Sequence, residues 1–221
     1  MNSQPPTWNG QIDTLYARQN DLAAQVMLRD GFAKPLRTVA GFRVDAESDD
    51  GANAASIHAK VVLLDADTME VLEQRETRAT SRMPNNPDLL GFRFLPAMLE
   101  ALESLSQRPD LAFVAGHGID HPRRFGVASH FALAADLPSV GISQSILIGT
   151  SRLALHEMRG AFTPLRDGKM QVGWLLRSKV GEAPLVVAPG HRVSLASAPG
   201  LVMRYVTQYR LPEPLRFATP T

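Results

Sequence analysis

The segment Gly116-His117-Gly118-Ile119-Asp120-His121-Pro122-Arg123-Arg124 gathers two imidazoles and two guanidiniums around a pair of glycines. Glycine lets a backbone turn tightly and approach a ligand closely. Imidazolium and guanidinium groups hold phosphate oxygens. The same residues also suit a polar turn with solvated arginines. His191 and Arg192, in Pro-Gly-His-Arg-Val-Ser, can face this segment or belong to a capping turn. His117, His121 and His130 raise the question of zinc, but their spacing fits no common zinc pattern and the chain has no cysteine. Hydrogen-bonded structural histidines fit better. Asp45, Glu47, Asp49 and Asp50 can hold a cation, although beside Gly51 they read more readily as a solvated hairpin tip. Ser129-His130 and Ser143 lack the spacing of a serine triad. Trp174 and the phenylalanines read as core. The chain has no G-x-x-x-x-G-K, G-x-G-x-x-G, H-E-x-x-H or G-x-S-x-G motif.

The surrounding elements follow from the apolar pattern. Apolar residues at helical spacing predict an amphipathic helix over 11–29, ended by Gly31 and Pro35. Alternation predicts strands at 37–46, 59–64 and 69–74, a three-strand meander. Prolines 84 and 87 precede a helix over 92–105. The short apolar runs 110–114 and 138–143 suit strands buried on both faces. A small-residue helix is expected at 125–135, strands at 172–176 and 185–187, and a helix from Ser194 to about 208. The tail LPEPLRFATPT reads as extended. A helix, a meander, a helix and then alternating strands and helices make an α/β fold with a mixed sheet. The 116–124 segment then lies at the carboxyl end of a buried strand, where open α/β sheets gather ligands.

Composition narrows the field without naming a partner. The 221 residues suit one domain, with 1–10 and 215–221 expected to be flexible. Lys and Arg number 23 against 22 Asp and Glu, so a nucleic-acid ligand would need a local basic patch. The absence of cysteine excludes disulfides and thiol catalysis. The polar start and the lack of a long apolar run lead us to expect a cytoplasmic protein with no membrane partner.

The run GHGIDHPRRFGVASHFALAADLPSVGIS resembles the signature of the endonuclease V family. The resemblance extends through VAGF at 39–42, RMPNNP at 82–87, FRFLPAMLEALESLSQRPDLAFVAGHG at 92–118, PGHRVS at 189–194 and YRLPEP at 209–214. It implies a ribonuclease H-like mixed sheet flanked by helices. It also implies magnesium-dependent cutting of DNA or RNA near deaminated bases such as inosine, a DNA-repair activity. The implied metal site takes an Asp on the first strand, a Glu opening the middle helix and an Asp ending the central strand. At these positions the chain has Arg43 in A-G-F-R, Phe94 in F-R-F and Ala115 in F-V-A-G-H-G. The family's lysine in G-V-A-K is Gln144, and the aromatic wedge of P-Y-I-P is Asn85, between Pro84 and Pro87. The histidine of G-H-R-V-S is kept as His191.

Magnesium needs hard oxygen ligands. Phenylalanine and alanine supply none, and arginine repels a cation or replaces it as a fixed positive charge. The expectation is an endonuclease V-like pseudoenzyme with no cofactor. Single- or double-stranded DNA or RNA would bind at the former cleft, through Pro84, Asn85, Pro87, Gly116, His117, Gly118, His121, Arg123, Arg124, His191 and Arg192. Arg43 adds a charge beside them. Two alternatives stand beside it: an active enzyme with magnesium relocated to Asp45 and Asp120, and a non-catalytic protein-interaction module.

Overall fold

The computed structural model describes residues 11–47, 55–83 and 85–219. Thr38–Ala46 (β1), Ala55–Asp65 (β2) and Val71–Ser81 (β3) form the expected antiparallel meander. Leu111–Ala115 (β4) pairs parallel to β1, and Ser139–Ser143 (β5) pairs parallel to β4. Leu185–His191 (β8), Met170–Leu176 (β7) and Phe162–Asp167 (β6) continue the sheet antiparallel. The order is β3-β2-β1-β4-β5-β8-β7-β6, a mixed eight-stranded sheet. β4 and β5 sit centrally, which explains their apolar runs without alternation.

Helices cover both faces. Leu90–Glu103 (α2) and Val127–Ala135 (α3) pack on one face against Phe42, Ile57, Val61 and Val114. Ala198–Arg204 (α4) and Glu213–Ala218 (α5) cover the other, around Phe113, Val187 and Tyr205. Ile12–Ala23 (α1) joins a smaller cluster in which Leu15 meets Met83, Leu89 and Phe92. Among the described residues no helix is long and apolar enough to cross a membrane.

Several elements differ from expectation. α1 stops at Ala23 because the chain beyond it bonds to another segment: the Arg192 amide donates to Met27 O at 2.7 Å and Gly31 N–H to Arg192 O at 2.9 Å. β6 is an additional strand, interrupted in sequence by Pro164 but tolerated at the sheet edge. α4 is shorter than the expected 194–208 helix. The tail is not extended. Pro212 caps α5, Pro214 sits in its first turn, and Leu215 and Ala218, in the segment expected to be flexible, are buried in this helix. A Cβ on Gly41 would stand 2.0 Å from Pro214 O, so α5 rests directly on β1. Residues 1–10, Pro84 and the hairpin tip carrying Asp49, Asp50 and Gly51 lie outside the described residues; Glu47 ion-pairs with His58 at 3.1 Å.

Candidate nucleic-acid interface

β1 and β4 run parallel with Phe42 opposite Val114, so Arg43 and Ala115 come next, side by side, at the carboxyl edge. α2 starts nearby and contributes Phe94. Phe94, Ala115, Gly116, His117, His121 and Leu147 line a cavity of about 110 Å³. Phe94 also packs on the α2–α3 core. Arg43 does not line this cavity. Its Nε donates to Asp45 Oδ2 at 3.0 Å, and both residues line a separate cavity of about 280 Å³ with Lys60, Glu76 and Ala218 of α5. The expectation that its guanidinium replaces a metal ion beside Ala115 is therefore corrected: an acceptor two residues along the same strand face engages it. Lys60 ion-pairs with Glu76 at 3.5 Å, extending this balanced charge ladder across the meander.

The signature loop is built from internal bonds. Gly116 has φ of 148°, a conformation that L side chains rarely adopt. A Cβ on Gly118 would lie 2.1 Å from Pro189 O, and one on Gly126 2.3 Å from His117 O. The carboxylate of Asp120 is buried; Oδ1 accepts from Gly118 N–H at 2.7 Å and Oδ2 lies 2.6 Å from His117 Nδ1. This pairing directs the rest of the His117 ring toward the cavity that it lines. His121 is buried, and desolvation, with Arg123 nearby, lowers its pKa to about 4. It is neutral at pH 7, so it holds a phosphate only as a hydrogen-bond partner.

Arg123 is tied into the fold rather than free for a ligand. Its Nε donates to Gln19 Oε1 at 2.5 Å, Nη2 ion-pairs with Asp88 at 3.0 Å, and its guanidinium stacks 4.0 Å from the Tyr16 ring centroid. Arg124 pairs with Asp167 of β6 at 2.5 Å. Arg93, in the F-R-F stretch, is buried and donates to Met83 O at 2.7 Å, which anchors the segment before Asn85 and Pro87. Asn85 and Pro87 are exposed. Asn86 caps the turn at Pro87–Leu89 by accepting from Asp88 N–H at 3.0 Å. Gln144 is exposed, and its Oε1 accepts from Arg210 at 2.7 Å.

His191 and Arg192 stand elsewhere. His191 pairs with Ser139 at the start of β5, whereas Ala115 pairs with Ile142 near its end. His191 is 2% exposed, and its Nδ1 accepts from Met27 N–H at 3.2 Å. Burial lowers its pKa, partly offset by Asp136. Arg192 clamps Asp136 at 3.1 Å and Gly31 O at 3.1 Å. The two segments do meet, but through backbone: Ile119 N–H donates to Pro189 O at 3.0 Å. Neither residue caps the following helix, whose N-cap is Ser197; both side chains are held by the 27–31 segment and Asp136.

His130 is fully enclosed, with Phe92 and Phe125 rings 4.4 and 4.9 Å away, and desolvation lowers its pKa to about 3. Ser143 Oγ donates to Ser145 O at 3.0 Å. Neither supports a serine triad. Among the described residues no group of three or more His, Asp or Glu side chains can hold a metal ion. The residues at the implied magnesium site do not fit the ion.

The model of the Endonuclease V family matches residues 20–219. The chain belongs to the endonuclease V family. It is 47% identical to Endonuclease V of Azotobacter vinelandii over 212 residues, covering 96% of this chain and 93% of that one. The crystal structure of Endonuclease V from Streptomyces avermitilis superposes with a TM-score of 0.86 at 32% identity, covering 99% of this chain and 94% of that one. Endonuclease V of Ciona intestinalis, solved with a 24-mer DNA containing an inosine followed by a ribo-adenosine, shares the fold at a TM-score of 0.77 and 22% identity, covering 95% of each chain. The ribonuclease H-like fold expected from the signature is therefore the one observed. The placement of α5 beside Arg43 and the role of Leu147 in the cavity wall were missed in the sequence, because neither carries a motif.

Proposed function

We propose that this endonuclease V-family chain binds nucleic acid at the carboxyl edge of β1 and β4 and has lost metal-dependent cleavage. One observation carries the reading. The edge that brings β1, β4 and α2 together offers Arg43, Ala115 and Phe94, and thus no oxygen ligand for a hard cation. Without the ion, these three side chains supply nothing that activates water or stabilises a leaving oxygen. The relocated site finds little support: Asp45 is engaged by Arg43, and both oxygens of Asp120 are engaged by His117 and Gly118. The nucleic-acid reading rests on family membership and on His117 facing the cavity, with Gly116 keeping its wall open.

Cleavage of inosine-containing DNA and RNA, with magnesium or manganese, tests the first half. No nicking above the metal-free background is expected, and nicking abolished by a chelator would overturn it. If nicking occurs and both Asp45→Ala and Asp120→Ala remove it, the relocated site is the answer. Binding is tested by titrating labelled oligonucleotides at low salt. Salt-dependent association is expected. No association with DNA or RNA would leave a protein-interaction module as the better reading.

A further inference from the structure

A second groove, of about 490 Å³, lies at the far edge of the sheet and is lined by Arg152, Arg166 and Lys169 with Leu153, Pro164 and Gly168. Among the described residues none of these three cations forms an ion pair, whereas Arg43, Arg123, Arg124 and Arg204 all do. The nearby Asp167 is already held by Arg124. The groove is fixed in shape: Thr150 and Arg166 exchange both backbone hydrogen bonds, at 2.8 and 2.9 Å, and so lash the loop after β5 to edge strand β6.

Phe162, Pro164 and Arg166 share one face of β6, because strand side chains alternate. Phe162 is 52% exposed, its ring propped edge-on at 5.0 Å from Trp174. Phe162 stands outside the groove's lining and precedes Arg166 on β6; an exposed ring beside cations is the arrangement that single-strand binders use, with bases stacking on the ring and phosphates on the charges. Leu147 lines the cavity at Ala115 and Arg152 lines this groove; five residues apart, the two stand at most about 18 Å from each other. One strand can reach both.

We propose that this groove binds the phosphodiester backbone of a single-stranded nucleic acid, with Arg152, Arg166 and Lys169 on phosphates and Phe162 under a base. The inference rests on the nucleic-acid reading above. It also explains how a chain of net charge +1 can hold a polyanion, through a local patch.

The test is fluorescence anisotropy with labelled oligo-dT and oligo-U of about 20 nucleotides across a KCl series. The proteins are wild type, R152A/R166A/K169A, F162A and a control, K34A/R75A/K179A, that removes three charges paired elsewhere. The groove variant should lower the slope of log affinity against log salt by about 2, at about 0.7 per phosphate, while the control keeps the wild-type slope. F162A should weaken binding about tenfold without changing the slope. Circular dichroism checks folding, and R152E/K169E, at two exposed positions, serves if the triple variant unfolds. Slope loss on either oligonucleotide supports the groove and identifies the preferred sugar. Wild-type slope in the folded groove variants would overturn the groove and leave the first site standing. Wild type failing to bind both oligonucleotides at low salt would overturn both.

Discussion

The signature loop and the strand edge it overhangs are neighbours built on opposite terms. In the loop nearly every group is bound inside the protein: Asp120 to Gly118 and His117, Arg123 to Gln19 and Asp88, and Gly118 pressed on Pro189 O. At the edge, Arg43, Phe94 and Ala115 hold little that the fold needs. Ala115 has almost no side chain, Phe94 extends an existing apolar cluster, and among the described residues the Arg43 guanidinium bonds to Asp45 on its own strand. The difference teaches where a fold keeps its stability. Clustered carboxylates repel one another without an ion, so a fold loses nothing in its packing when they go. Loop residues that are interlocked cannot change one at a time without leaving a buried group unpaired.

That contrast breaks most visibly at the loop. Gly118→Ala places a methyl against backbone that cannot move aside, and should cost about 3 kcal/mol in urea unfolding. A loss under about 1 kcal/mol would mean that the loop is softer than its contacts suggest. The edge should respond in the opposite sense to R43D/F94E/A115D, which restores three carboxylates. Wild type should show no change in Tm with magnesium or manganese. The restored edge should gain about 2.7 kcal/mol at a metal concentration of 100 Kd. Equal stabilisation of wild type would place a metal site in the present chain.

Acid should find the loop's underpinning first. His130, beneath it between Phe92 and Phe125, has a pKa of about 3 in the fold because burial disfavours the imidazolium. The unfolded chain takes up its proton near pH 6.5. Between these values the unfolded state binds more protons, so stability rises with pH over that window and levels off above it. His130 alone should cost about 1.6 kcal/mol between pH 6.5 and pH 5, the slope approaching about 1.4 kcal/mol per pH unit only below the unfolded pKa, and His121 adds in the same direction. His130→Gln should remove about half of that slope, the rest remaining with His121. An unchanged profile would exclude His130 as its source.

Much of this was legible in the sequence, and the failures have physical reasons. β4 and β5 were readable because a strand buried on both faces writes an unbroken apolar run. The signature singled out Arg43, Phe94 and Ala115; the β1–β4 pairing brings Arg43 and Ala115 to one edge, but Arg43 lines a different cavity from the other two. β6 was hidden by Pro164, which breaks a central strand but is tolerated at an edge. α5 was missed because the tail reads as extended, although Pro212 and Pro214 stand where proline is favoured, at the start of a helix. His191 and Arg123 misled in the other direction. Their types suit ligands, but only the fold reveals that Met27 N–H and the Tyr16 ring have claimed them. Residue type reports what a side chain is able to bind, whereas burial decides what it still has free.

The mildest change gives the finest test of the contrast. Arg43→Gln removes a guanidinium whose side chain is 30% exposed and whose partner, Asp45, is 53% exposed. Solvent screens such a pair, and exposed ion pairs contribute about 0.5 kcal/mol or less. Glutamine retains the amide that can still reach Asp45, so the urea midpoint should scarcely move. A loss near 2 kcal/mol would mean that the ladder from Arg43 through Lys60 to Glu76 acts as a unit that holds β2 and β3 to β1. Arg43 would then belong with the interlocked loop residues, and the strand edge would be held by its own side chains as the loop is.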